Sequence, residues 1–214
     1  MSINTHNSTV IVFEGADGTG KSTAMQMLNS YLSREGYSVL CLNVISCSPE
    51  GKLFRQEYTT KELDPMLQTV GFLNSNAIAF TRHIFEDINE FDFVLVDRGW
   101  ASIVAYQLVL ANQMYAYSTV EHILQDPRYQ SIFNIYLQAD PQVALKRIID
   151  SGRPLDTIEG KGVGHQKLVA QGYEKAFTLF PELAPSIRLQ TDRLDTNQVS
   201  QLLKKAVANL TAQR

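Results

Sequence analysis

Apolar residues along this chain cluster in short runs, separated by stretches where they recur every three or four positions. The short runs are Val10 to Phe13 and Phe93 to Val96, both unbroken, Val39 to Ile45 and Ile132 to Leu137, each with one Asn, and the alternating Ile187 to Gln190. Runs of this length rich in Val, Ile and Phe predict strands buried on both faces. We read strands over 9–14, 38–45, 93–96, 132–137 and 187–190. The intervening spacing predicts helices over 20–34, 65–89, 101–114, 141–149, 165–180 and 196–210, with Gly36 just past the end of the first. In the long helix, Leu67, Val70, Gly71, Asn74, Ile78 and Thr81 share one face, and its polar positions are expected to border a cleft above the sheet. Ser46 to Gly51 reads as loop from its Ser, Pro and Gly content, and 151–164, rich in glycine and charge, as a mobile loop. Strands alternating with helices imply right-handed crossovers. The expected fold is therefore α/β, a five-stranded parallel sheet with helices on both faces. Ligands of such sheets bind at the carboxyl ends of the strands.

One junction carries chemistry at once. Phe13-Glu14-Gly15-Ala16-Asp17-Gly18-Thr19-Gly20-Lys21-Ser22-Thr23 fits G-x-x-x-x-G-K-[ST], between a predicted strand and a predicted helix. Gly15, Gly18 and Gly20 let the backbone aim its N–H groups at one point, and the helix N-terminus adds partial positive charge there. Lys21 is expected to reach the β- and γ-phosphates of a nucleoside triphosphate, and the Ser22 hydroxyl to hold Mg²⁺. Asp97-Arg98 ends the third strand on the same side of the sheet. A carboxylate there completes a Mg²⁺ shell, often through water, and Arg98 offers a planar fork to phosphate oxygens.

Composition narrows the partners. The 214 residues suit one domain, read as 9–214 after a disordered lead-in over 1–8, and 44% hydrophobic with 19% charged is ordinary for a globular chain. A net charge of −3 argues against non-specific binding to nucleic acid or an anionic membrane. No apolar run reaches the length of a membrane span, and the first residues lack the basic and apolar regions of a signal peptide. Cys41 and Cys47 match no zinc or redox spacing, and two thiols suit a reduced compartment, so a cytoplasmic location is expected.

Val96-Asp97-Arg98-Gly99-Trp100-Ala101-Ser102-Ile103-Val104-Ala105-Tyr106-Gln107 resembles the signature of the thymidylate kinase family. The glycine loop with its acidic Asp17, the stretch Tyr136 to Ile148, Leu155 to Glu159 and Gly172-Tyr173-Glu174 resemble that family's loop, fourth strand and helix, lid, and following helix. The resemblance implies a P-loop kinase fold with a short lid over about 151–164. It implies ATP and a nucleoside monophosphate as substrates, and suggests a homodimer through the helices flanking the third strand. By the same resemblance, Lys21, Ser22 and Thr23 hold the donor phosphates and Mg²⁺, Asp17 meets the acceptor's sugar, and Arg98 contacts phosphate between donor and acceptor. Tyr106 and Gln107 then lie near the acceptor nucleoside, as does Phe72. The loop has no basic residue at Ala16 to Thr19, which makes Arg153 in the lid the candidate to neutralise the moving phosphoryl group.

The acceptor half departs from the family. Aligned on Gly51-Lys52-Leu53, Ser46 takes the place of a phosphate-binding arginine. Aligned on Asn74-Ser75-Asn76, Leu73 takes an aromatic's place and Ala77 an arginine's. Phe72, Arg82 and Arg55 are neighbouring substitutes, and Thr157 replaces a lid arginine. Three readings stay open: a monophosphate kinase, with dTMP to dTDP as the leading reaction and a modified pyrimidine nucleotide as a variant; a deoxynucleoside kinase with Glu50 as base; and a GTP-binding switch. The last fits least, because Asp97-Arg98-Gly99-Trp100 and Thr60-Lys61-Glu62-Leu63 lack the spacing and final Asp it needs. His83 and His165 read as ordinary helix residues.

Overall fold

In the computed structural model, which describes residues 8–86, 90–152 and 159–211, the chain alternates strand and helix as its pattern predicts. The strands are β1 (Thr9–Glu14), β2 (Val39–Asn43), β3 (Phe93–Asp97), β4 (Phe133–Gln138) and β5 (Ile187–Gln190). They form one five-stranded sheet in the order β2-β3-β1-β4-β5, with every neighbouring pair parallel. β1 is central, pairing Val12 with Val96 of β3 and with Asn134 of β4. The glycine loop therefore leaves the middle of the sheet at its carboxyl edge.

Alternate side chains of each strand feed separate cores. Ile11, Phe13, Phe93, Leu95, Ile135 and Leu137 pack with α1 (Lys21–Arg34) and α8 (Thr196–Thr211) on one face. Val10, Val12, Val94, Val96 and Tyr136 pack on the other against α3 (Pro65–Ile78), α4 (Trp100–Ile103) and α7 (Gly162–Leu179). The remaining helices are α2 (Pro49–Thr60), α5 (Tyr117–Leu124) and α6 (Pro141–Asp150). α6 opens with Asp140 accepting from the N–H groups of Gln142 and Val143 and with Pro141 in its first turn, the arrangement that satisfies otherwise orphaned donors. Among the described residues, no helix is long and apolar enough to cross a membrane.

Several boundaries differ from expectation. The segment read as loop at 46–51 already contains the start of α2, because Ser48 caps it by accepting from Gly51 N–H at 3.0 Å and Pro49 occupies the first turn. Ser-Pro-Glu is a start signal as well as a turn signal. α5 lies in a stretch for which no element was expected. The long helix is α-helical only to Ile78 and continues as a π-helix over Ala79–Glu86; α4 likewise passes into a π-helix over Val104–Leu110. The buried face of α3 is also not the expected one. Leu67 and Val70 are exposed, whereas Thr69, Phe72, Ser75 and Asn76 are buried. Residues 1–7 of the lead-in, and 153–158 of the lid with Arg153, Leu155, Asp156 and Thr157, lie outside the described residues.

Candidate active site

The glycine loop is built by close approach. Gly15, at φ 140°, lies so near the Leu137 carbonyl that a Cβ would sit 2.2 Å from its oxygen; Gly18, at φ 77°, meets the Ala144 carbonyl at the same distance. Only glycine fits a left-handed position with no room beside it. The loop thus packs onto β4 and α6. Thr19 Oγ1 and Lys21 Nζ both donate to Ala16 O at 2.8 Å, which folds the lysine back over its own loop.

Four charged groups meet where β1 and β3 end. Arg98 Nη2 donates to Asp17 Oδ1 at 2.5 Å, and Lys21 Nζ lies 3.7 Å from the same oxygen. Arg98 Nη1 donates to Gly15 O and Tyr173 Oη at 3.1 Å each, and its guanidinium lies 5.5 Å from the Tyr106 ring centre. Arg98 also takes a positive φ of 67°, a strained setting for a non-glycine residue of the kind found at functional positions. Its N–H is tied to Phe13 O at 3.0 Å, which holds the turn on the central strand.

Beneath Arg98 lies Glu14, only 2% exposed. Ser102 Oγ donates to it at 2.5 Å and Tyr173 Oη at 3.3 Å. Ser102 Oγ and Tyr173 Oη lie 2.8 Å apart, Tyr173 Oη also reaches Gly15 O at 3.2 Å, and Arg98 Nη1 donates to both hydroxyl oxygens, so the two hydroxyls link Glu14 to Arg98. Burial pushes the Glu14 carboxyl up, against the Ser102 hydrogen bond and the Arg98 charge. Burial pushes Lys21 down to about 8, with the neighbouring Arg98 charge acting in the same direction. Burial also opposes the charge on Arg98, but Asp17 and the nearby tyrosines outweigh it and its pKa lies above the ordinary value.

A cleft of about 250 Å³ opens beside this cluster. Asp17, Lys21, Ser22, Asp97, Arg98, Phe72, Tyr106 and Gln107 all line it, so the structure brings together the donor-side and acceptor-side residues singled out in the sequence. Thr23 is exposed on the first turn of α1 and does not line the cleft. Gln107 is buried, its carbonyl oxygen 3.1 Å from Thr69 Oγ1.

For a divalent cation, Ser22 and Asp97 share one corner. Asn43 Nδ2 donates to Asp97 Oδ2 at 3.1 Å, and Asp97 Oδ1 and Asn43 Oδ1 are buried without hydrogen-bond partners among the described residues. Among those residues no cluster of three His, Cys, Asp or Glu is present. Sparse hard oxygen donors beside a phosphate loop fit Mg²⁺, which keeps waters and phosphate oxygens in its shell.

The substitutes sort themselves by position. Phe72 and Asn76, one turn apart on α3, face the cleft, whereas Leu73 and Ala77 do not line it. The aromatic that lines the cleft from α3 is thus Phe72, one residue earlier than the alignment on Asn74-Ser75-Asn76 puts an aromatic, and Asn76 stands a turn beyond. Of the two arginines, Arg55 lines the cleft and Arg82 is exposed elsewhere. Glu50 is exposed and does not line the cleft.

Three contributors escaped the sequence reading. Glu14 had a signal, since a charge closing an apolar strand must find partners. Asn43 had none beyond its place at a strand end. Arg147 of α6 donates to Thr191 Oγ1 at 3.0 Å and to Thr191 O at 2.9 Å, and reaches Gly18 O at 3.5 Å, bracing the outer side of the loop.

Comparison with known proteins agrees with this architecture. The family model described as thymidylate kinase matches residues 13–189. The thymidylate kinase of Caldanaerobacter subterraneus subsp. tengcongensis is 28% identical over 175 residues, 80% of this chain and 83% of that protein. That of Rickettsia peacockii is 26% identical over 196 residues, 91% of this chain and 95% of that protein. With a family match over most of its length and the loop, strand-end Asp-Arg pair and cleft in one place, the chain belongs to the thymidylate kinase family.

Proposed function

We propose that this protein transfers the γ-phosphoryl group of ATP to dTMP, giving ADP and dTDP. The observation that carries the reading is the position of Arg98. It sits between the P-loop, through Asp17 and Gly15, and the cleft lined by Phe72, Tyr106 and Gln107. A cation there touches both phosphate chains when donor and acceptor are bound.

In the reaction an oxygen of the acceptor phosphate forms a bond to Pγ as the bond from Pγ to the β–γ bridging oxygen breaks, and that oxygen leaves on ADP. The nucleophile is already an anion, so no general base is needed, and the protein's task is alignment and charge compensation. Lys21 and the loop N–H groups would cradle the β- and γ-phosphates, with Gly15, Gly18 and Gly20 allowing the approach. Arg98 would bridge to the acceptor, and Arg153 is proposed to balance charge on the moving group. Phe72 would face the base, Asp17 the sugar, and Tyr106 and Gln107 the nucleoside. Ser22 and Asp97, the latter supported by Asn43, would hold Mg²⁺, which neutralises charge on the β- and γ-oxygens when bound.

A deoxynucleoside acceptor would need a carboxylate base in the cleft. Of the carboxylates that line it, Asp17 is ion-paired with Arg98 and Lys21 and Asp97 accepts from Asn43; Glu50 does not line it, and Glu14 is buried beneath Arg98 and hydrogen-bonded by Ser102 and Tyr173. Met66, Leu67, Val70, Met114 and Tyr115 form an exposed apolar surface, with Tyr115 Oη donating to Met66 O at 3.4 Å. Exposed apolar area of this kind supports a homodimer through α3 and the segment after α4. Two free thiols support a reducing, cytoplasmic location.

The test is a steady-state assay of ADP release with ATP, Mg²⁺ and either dTMP or thymidine, with Lys21→Ala as the blank. Turnover of dTMP and not thymidine is expected. Turnover of thymidine alone would overturn the reading.

A further inference from the structure

α2 rests on the body of the protein along a narrow stripe. Of its twelve residues only Gly51, Phe54 and Tyr58 are not exposed, and only Gly51 is fully buried. Their spacing, i, i+3 and i+7, puts all three on one side of the helix. Gly51 seats the first turn, because a Cβ there would lie 2.3 Å from Ile45 O. Beyond that turn the contact is aromatic. Phe54 and Tyr58 each meet the Phe72 ring of α3 edge to face, with centroids 4.9 and 5.0 Å apart, and stack on each other at 6.2 Å.

Gly71 makes this contact possible. It lies inside α3, where glycine is a poor helix former, and no positive φ calls for it there. The room beside it does. A Cβ on Gly71 would lie 2.2 Å from Cε2, 2.5 Å from Cδ2 and 2.6 Å from Cζ of Phe54. The ring thus occupies the space a side chain of α3 would take. Any larger residue must drive the nearest ring atom from 2.2 Å to the 3.4 Å at which ordinary contact begins, a shift of about 1.2 Å. Either the ring swings out of its edge-to-face contact with Phe72, or α2 moves outward as a unit. Both routes reshape the cleft, which Tyr58 and Thr59 line from α2 and Phe72 and Asn76 from α3.

Resting on the monophosphate-kinase reading, we propose that Gly71 and Phe54 form an interlock that sets the separation of α2 and α3, and through it the affinity of the cleft for the acceptor monophosphate. Neither residue lines the cleft. They are positioning residues and act through Phe72 and Tyr58. The low helix propensity of glycine in α3 is offset by the aromatic packing that it admits. The donor end, built on the glycine loop and α6, does not depend on this contact.

The experiment is steady-state kinetics of the full chain carrying Gly71→Ala, Phe54→Leu, and both together, with ATP and dTMP varied in turn. Displacing an aromatic wall by about 1 Å predicts that Gly71→Ala raises KM for dTMP about tenfold and leaves KM for ATP within about twofold. Phe54→Leu raises KM for dTMP about threefold. In the double variant the alanine methyl fills space that the shorter side chain vacates, so KM for dTMP stays within about twofold of Phe54→Leu alone. A KM for dTMP in Gly71→Ala close to wild type, or losses that multiply in the double variant, overturns the interlock. So does an equal rise in both KM values, the mark of general loosening. Wild-type failure to phosphorylate any monophosphate overturns the parent reading instead. Circular dichroism of each variant separates these outcomes from misfolding. If Gly71→Ala does not fold, the double variant decides: it should fold and match Phe54→Leu, and failing either overturns the interlock.

Discussion

Lys21→Met should make the ligand-free protein more stable while abolishing its activity. Lys21 is buried, and its pKa falls from 10.5 to about 8 because burial and the Arg98 charge disfavour the ammonium. At 1.36 kcal/mol per unit, that drop is a cost of ~3 kcal/mol to the folded state at neutral pH. Most of what the lysine contacts survives its removal. Ala16 O keeps Thr19 Oγ1 at 2.8 Å and Thr19 N–H at 3.4 Å, and Asp17 keeps Arg98. Methionine preserves the aliphatic stem. Allowing for the lost hydrogen bond, the gain is about 1–3 kcal/mol, or ~3–9 °C in Tm for a domain of this size. The pH dependence fixes the cause. Between pH 8 and 10.5 the unfolded chain binds the proton that the folded chain has released, so wild-type stability from this group rises with pH and the penalty is complete below pH 8. Calorimetric Tm values should therefore differ most at pH 7 and converge toward pH 10.5. A Tm for Lys21→Met at or below wild type at pH 7, or a difference constant across that range, would refute the reasoning.

The same group predicts proton uptake on binding. ATP phosphates favour the charged lysine, so titration calorimetry at pH 8.5 in buffers of different ionisation enthalpy should show protons taken up, with little uptake at pH 6.5 and none in Lys21→Met. Glu14→Gln should lower kcat about tenfold by loosening the hydroxyls that aim Arg98, with KM for ATP near wild type. Its raised pKa also makes the folded chain hold a proton longer than the unfolded one. The stability from Glu14 is therefore full below pH 4.5 and falls as pH rises through the folded-state value. Urea midpoints of Glu14→Gln that kept the wild-type pH slope would contradict this assignment.

Sequence periodicity located the inner strands β1, β3 and β4 because they are short, largely apolar runs of the buried parallel kind, the edge strands β2 and β5 from a shorter or alternating apolar pattern, and the glycine loop because its steric needs leave few residue choices. It failed where two signals overlap. Ser48-Pro49-Glu50-Gly51 carries the residues of a turn and of a helix start, and only the packing of Gly51 on Ile45 O decides for α2. On α3 the exposed Met66, Leu67 and Val70 imitate a core stripe, while the side that packs and faces the cleft is Thr69, Phe72 and Asn76. A slip of one helical position moves a side chain by about 100°, enough to exchange Leu73 for Phe72. Arg55 could be named from sequence as a neighbour, but not chosen over Arg82. The choice depends on the angle at which α2 leaves the β2 turn.

The cleft's charges are arranged for a ligand more than for the empty protein. Two cations, the buried Lys21 and the half-buried Arg98, are balanced by Asp17 between them and by Glu14 beneath. Asp17 shares its Oδ1 between both partners, so neither cation is fully compensated by a carboxylate of its own. Phosphates arriving from the donor and acceptor sides add the missing negative charge at the point where Asp17 is overdrawn. This is why stability and binding pull against each other at Lys21. The desolvation that lowers its pKa in the free protein is also what strengthens its attraction for phosphate, because both follow from the same low local dielectric. A lysine left in water would cost the fold nothing and hold the triphosphate weakly.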